Sequence, residues 1–135
     1  MKKKLITSSC VLLFILMIIY LQCCREVSVK GTMTSAAENG YTENVVIIAN
    51  KLWITDKKNF AEEMVQRCVD NDFHEVLFSY DVNGYPNELN LTIYKNDFMY
   101  KLNKIEIKGN YEQSEGKIYE YNIKDNPEKF RLKIQ

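Results

Sequence analysis

Residues 5–21 carry no charged side chain, and the stretch VLLFILMIIYL at 11–21 is apolar throughout apart from the Tyr20 hydroxyl. A helix in the core of a soluble protein keeps a polar face, and this stretch has none. At a rise of about 1.5 Å per residue, residues 5–21 make a helix roughly 26 Å long, close to the roughly 30 Å of bilayer hydrocarbon. The pattern predicts a membrane anchor or signal segment over residues 1–24. Residues 25–44 (REVSVKGTMTSAAENGYTEN) are polar, rich in small side chains and without sustained period, which predicts a flexible tether.

From Val45 onward the periodicities become regular. VVIIAN at 45–50 is a β-branched run that predicts a strand. Asp56 is placed to cap a helix, and Phe60, Ala61, Met64, Val65, Cys68 and Val69 recur at spacings of three and four. A helix is predicted over Lys57–Asp70, with Asn71 as a left-handed end. Alternation then predicts strands over residues 75–81, 88–95, 97–108, 117–124 and 130–134. A hairpin turn is expected at Asn83-Gly84, a bulge at Asn103-Lys104, a loop from Gly109 to Gly116 and a turn at Asp125-Asn126-Pro127. Residues 45–135 are thus expected to form one extracytoplasmic α+β domain, a single helix packed on an antiparallel meander. In element order this resembles the cystatin-like and nuclear-transport-factor-like groups of folds, a likeness of shape that implies no activity.

Charge fixes the expected orientation. The 135 residues sum to a formal charge of zero, but Lys2, Lys3 and Lys4 precede the apolar run and Arg25 follows it. The positive-inside rule places the N-terminus in the cytoplasm and residues 45–135 outside. The part beyond the anchor is mildly acidic and has no stripe of Lys and Arg, which argues against nucleic acid as a partner. A body this small buries roughly 60 to 65% of the surface its unfolded chain exposes, enough for one modest core.

The end of the apolar run leaves three fates open. Leu21-Gln22-Cys23-Cys24 resembles a bacterial lipoprotein processing site, which makes Cys23 and Cys24 the candidate lipidation residues; Gln22 is larger than the small residue usual before the modified cysteine. An uncleaved single-pass anchor is the second fate and free secretion the third. The small-residue triplet Ser35-Ala36-Ala37 lies far beyond the apolar core for signal cleavage. Within residues 45–135 only Cys68 is a cysteine, so no disulfide forms there.

The remaining chemistry is sparse. Asp70 and Asp72 open like a calcium loop, but Glu75 stands where the turn needs glycine and no Glu lies at the twelfth place. Cys68 belongs to the apolar stripe and His74 lies past the helix end, a poor spacing for a nucleophile and its base. The carboxylate pairs Glu62-Glu63 and Glu112 with Glu115 read as solvated, and Asn90-Leu91-Thr92 matches a glycosylation acceptor in mid-strand. A tyrosine-lined groove built from Tyr80, Tyr85, Tyr94, Tyr100, Tyr111, Tyr119 and Tyr121 is the one candidate ligand surface. The expectation is a membrane-anchored, extracytoplasmic, non-enzymatic binding or accessory module of bacterial type, with no metal or cofactor, contacting an unknown protein or small ligand. The alternative is a structural subunit of a membrane-spanning conjugation or secretion assembly.

Overall fold

A computed structural model describes residues 2–117 and 119–135, and side chains from residue 6 onward. Helix α1 spans Lys2–Ile19 and ends in a single wider π-turn, Tyr20–Cys24. The stretch Ile6–Cys24 is long and apolar enough to cross a membrane, with mean hydropathy 2.2, and protein buries none of it. Beyond it lie β1 (Ser28–Ala37), β2 (Gly40–Ile48), α2 (Lys57–Asp70), α3 (Tyr80–Asn83), β3 (Glu88–Tyr94), α4 (Asp97–Lys101), β4 (Ile107–Gln113) and β5 (Phe130–Ile134).

The strands form one sheet in the order β1-β2-β3-β4-β5, antiparallel at every junction except the parallel pair β2/β3. The body is therefore α+β, a mostly antiparallel sheet with α2 laid across β3 and β4. Register explains the core. Ile47, Ile93 and Ile107 face one another across β2, β3 and β4, and Val45, Leu91 and Gly109 form the next row. These rows bury against Ala61, Met64, Val65 and Cys68 of α2. Gly109 fits closely there, since a Cβ would meet Leu132 Cδ1 at 3.3 Å and that side chain would have to shift.

Helix α2 has the predicted bounds and caps. The Asp56 carboxylate accepts from Asn59 N at 2.9 Å, and Asn71 ends the helix at φ 57°, its own N–H donating to the Arg67 and Cys68 carbonyls. Strand β5 also forms as expected, with Phe130 inside.

Elsewhere the structure corrects the reading. Residues 28–44, expected as part of a tether, instead build β1 and the first half of β2. They form a hairpin that turns at Glu38-Asn39, while no hairpin forms at Asn83-Gly84, where a short helix ends instead. β1 is an edge strand held by backbone pairing, and only Val29 among its side chains is buried, so it carries no apolar period to read. Residues 75–81 are not a strand. Val76, Phe78 and Tyr80 do turn inward together, but from an irregular segment pinned by Asn71, whose side chain donates to Phe78 O at 3.0 Å and accepts from Phe78 N at 2.8 Å. Residues 97–108 are not one strand either. Asn96 caps α4 by accepting from Met99 N at 3.0 Å, and the parity change at Asn103 is the left-handed exit of that helix, φ 52°. The expected loop from Gly109 begins inside β4, and residues 119–124 are turns without a ladder partner; Ile118 lies outside the described residues. The meander is interrupted because α2 acts as a crossover and returns β3 parallel to β2.

Asn87 stitches the end of the sheet where β2 and β3 begin. Its Oδ1 accepts from Tyr41 N at 3.0 Å, and its Nδ2 donates to Tyr121 O at 2.8 Å. Asn87→Ala would strand both partners, and a loss of about 1–2 kcal/mol is expected in the denaturant midpoint of the full chain in detergent.

Candidate functional site

Alternation along β2, β3 and β4 sends apolar residues toward α2 and leaves a polar stretch on the opposite face, bounded at the end nearest α1 by buried Ile48 and Tyr94. On that face Asn44, Asn90 and Asn110 stand in register across three neighbouring strands. Asn90 Nδ2 donates to Asn44 Oδ1 at 3.1 Å, and Asn44 Nδ2 donates to Met33 O at 3.0 Å. Asn110 Nδ2 donates to Glu88 Oε1 at 3.0 Å, and Thr42 Oγ1 donates to Glu88 Oε2 at 3.3 Å. Asn110 Oδ1 is buried and accepts from no donor among the described residues. An unpaired buried carbonyl costs stability, and this one sits beneath the polar face rather than on it. The row borders a cleft of about 360 Å³, completed by Thr92, Lys108 and Gln135. Neutral amides with one carboxylate and one lysine suit hydrogen-bonding recognition of hydroxyl or amide groups.

A second, open cleft of about 440 Å³ lies between α2 and β5. Tyr111, Phe130 and Leu132 form its floor, and Lys58, Glu62, Gln66 and Arg131 its rim. The Tyr111 ring stacks on Phe130 with centroids 5.3 Å apart, and burial, with Glu128 adding, pushes the Tyr111 phenol up. Because α2 crosses β3 and β4, the cleft opens beside β5, where Phe130 is buried and Tyr111 and Leu132 are half-buried.

The predicted residues do not converge. Cys23 and Cys24 are exposed on the turn that ends α1, and Cys10 is exposed higher on α1. Cys68 is buried in the core, far from any thiolate chemistry, because burial pushes its thiol up to about 12. His74 is exposed on the irregular segment after α2. Asp70 accepts from Gln66 at 2.8 Å and pairs with Lys124 at 3.4 Å; the Gln66 bond first, with Lys124 adding, holds its carboxyl below the usual range. Glu112 pairs with Lys133. Among the described residues no group of acids, histidines and cysteines gathers as a metal site. The tyrosines are dispersed rather than lining one groove. Tyr80 packs on Tyr85 at 4.5 Å, Tyr94 meets Tyr100 edge-on at 5.1 Å at the other end of the sheet, and Tyr111 lies in the second cleft. Asn90 of the glycosylation match belongs to the asparagine row.

Burial of Tyr41 and Cys68 sets a pH limit. Tyr41 Oη donates to Gly84 O at 2.6 Å, and burial, with Glu43 adding, pushes that phenol up to about 12. Ordinary values are 9.0 for the thiol and 10.0 for the phenol. As pH rises past these values the unfolded chain releases protons that the folded chain keeps, so stability is full below about pH 9 and is lost progressively toward about pH 12. Cys68→Ala is expected to flatten part of that fall in a series of denaturation midpoints.

Comparison of the chain with protein-family models, with curated proteins and with solved structures finds no match.

Proposed function

We propose that the chain is a non-enzymatic binding module held at the outer face of a cell membrane, with α1 spanning the bilayer from a cytoplasmic N-terminus. The observation that carries this reading is the join between the apolar helix and the body. Gln22, in the last turn of the span, accepts through Oε1 from Leu52 N at 2.9 Å and Trp53 N at 3.3 Å, and its Nε2 donates to Trp53 O at 3.0 Å. Lys51 Nζ donates to Gln22 O at 2.9 Å. Processing ahead of Cys23 or Cys24 would remove Gln22 and with it this clamp, which supports retention of the span over its replacement by lipid. Lys2, Lys3 and Lys4 before the helix support the orientation. The asparagine row is the ligand face in this reading, suited to a hydroxyl- or amide-bearing molecule or to a polar protein segment.

Mass spectrometry of the mature N-terminus tests the anchoring. An intact start at or next to Met1 is expected; a diacylated Cys23 or Cys24 would replace the span with a lipid anchor, and a trimmed, unlipidated product would overturn membrane attachment. Screening soluble glycans and peptides against the full chain tests the ligand face. Binding lost in Asn90→Leu supports it, and binding indifferent to that change removes the face from the proposal.

The second reading, a subunit of a membrane-spanning assembly, is favoured by β1. This edge strand has ten residues, and GTMTSAA at 31–37 contains neither charge nor proline. Long uncharged edges invite pairing with another strand, which monomeric proteins usually block. Mild crosslinking in membranes separates the readings. A stoichiometric complex abolished by Met33→Lys would favour the assembly, and a lone monomer the module.

A further inference from the structure

The end of the sheet nearest α1 carries an apolar surface that the core does not use. Strands β2 and β3 run parallel and finish together, and Ala49 N donates to Tyr94 O at 2.8 Å and Lys51 N to Lys95 O at 3.1 Å. The loop after β2, which holds Trp53, is thereby fixed beside the segment that holds α4. That same loop is clamped to Gln22, so both segments stand at the height where the span ends. Lys30 of β1 pairs with Asp97 at 2.7 Å and Lys57 of α2 with Glu106 at 3.0 Å, tying the α4 segment down at both ends.

Its side chains point outward. Phe98 is 64% exposed, Leu102 49% and Ile105 46%, while Trp53, on the neighbouring loop, is 48% exposed. Lys101 and Lys104 are interleaved with them, exposed and without an ion-pair partner among the described residues. The carboxylates of residues 95–106 are neutralised, Asp97 by Lys30 and Glu106 by Lys57 and Lys95. Exposed aromatic and aliphatic side chains among unpaired lysines match the headgroup level of a bilayer, where rings sit at the boundary and ammonium groups meet lipid phosphates.

Resting on the reading of α1 as a retained span, we propose that this surface docks on the bilayer that holds α1, with Phe98, Leu102 and Ile105 entering the acyl boundary beside Trp53 and with Lys101 and Lys104 on the phosphates. The body is then held at two places, by Gln22 and by the α4 surface, and its orientation over the membrane is set. The asparagine row occupies the part of the sheet face beyond Tyr94 and α4, further from the lipid.

Trp53 is the only tryptophan in the chain, so an indole can be moved to test this. The full chain carrying W53F with F98W is reconstituted in vesicles of phosphatidylcholine and phosphatidylglycerol brominated in the upper acyl chain, beside W53F with Y20W as the reference for the span. The expected result is that the F98W indole emits to the blue and loses most of its intensity relative to unbrominated vesicles, as the Y20W indole does. If the Y20W indole is quenched and the F98W indole is not, docking is overturned while the span stands. If neither is quenched, the span reading fails as well. W53F with L102W, on the same surface, gives the same readout should F98W not fold.

Discussion

Truncating Leu91 to alanine will cost about 2–5 kcal/mol of stability, because the lost contacts and the cavity left behind both count. Leu91 is fully buried between Val45 and Gly109 in the central row of the sheet, under α2. Neighbours cannot collapse into the space, since Gly109 has no side chain to offer and Leu132 already rests on it. A domain of this size has only about 5–10 kcal/mol to lose, so a large share of its stability goes with it. The urea midpoint of the full chain in detergent measures the effect. A shift no larger than that of an exposed control such as Leu77→Ala would contradict the core described here, because Leu77 is 80% exposed.

The second large effect concerns the proposed span. Leu13 and Leu16 are exposed on α1 with no protein to cover them. Arginine at a helix centre costs about 2.5–3.5 kcal/mol per residue for membrane insertion. The double change Leu13→Arg with Leu16→Arg is expected to move the chain out of the carbonate-resistant membrane fraction by more than tenfold, while Asn90→Leu on the body leaves fractionation unchanged. Quantitative blotting of pellet and supernatant checks both.

What was legible in the sequence follows from how each element is stabilised. Helix α2 announced itself because its stripe is apolar at helical spacing and both caps are polar residues acting on their own backbone, Asp56 and Asn71. β3 and β5 were legible because their alternation is imposed by one buried face. β1 was hidden for the opposite reason, since an edge strand exposed on both faces needs no apolar residues and its pairing is a property of β2. Residues 75–81 misled because Val76, Phe78 and Tyr80 do share a buried side, and alternation cannot report whether a neighbouring strand exists. The Asn96 cap before α4 was a local signal overridden by the alternation around it. The apolar α1 was plain, as was the position of Cys23 and Cys24 at its end.

The candidate site was less legible than the fold. Asn44, Asn90 and Asn110 lie far apart in the chain, and each occupies an ordinary polar position of its own strand. Only the register of β2, β3 and β4, including a parallel junction that alternation cannot reveal, brings them into one row. The Gln22 clamp is equally a product of assembly, since a lone glutamine after an apolar run carries no sign that it will bind a loop some thirty residues on.

Everything about where the body sits depends on α1 remaining attached and embedded. The direct measurement is alkaline carbonate extraction of membranes from cells expressing the untagged chain, with intact mass determined for the material in each fraction. The account predicts the chain in the washed pellet with residues 1–24 present. Recovery of the same full-length chain entirely in the soluble fraction would contradict it.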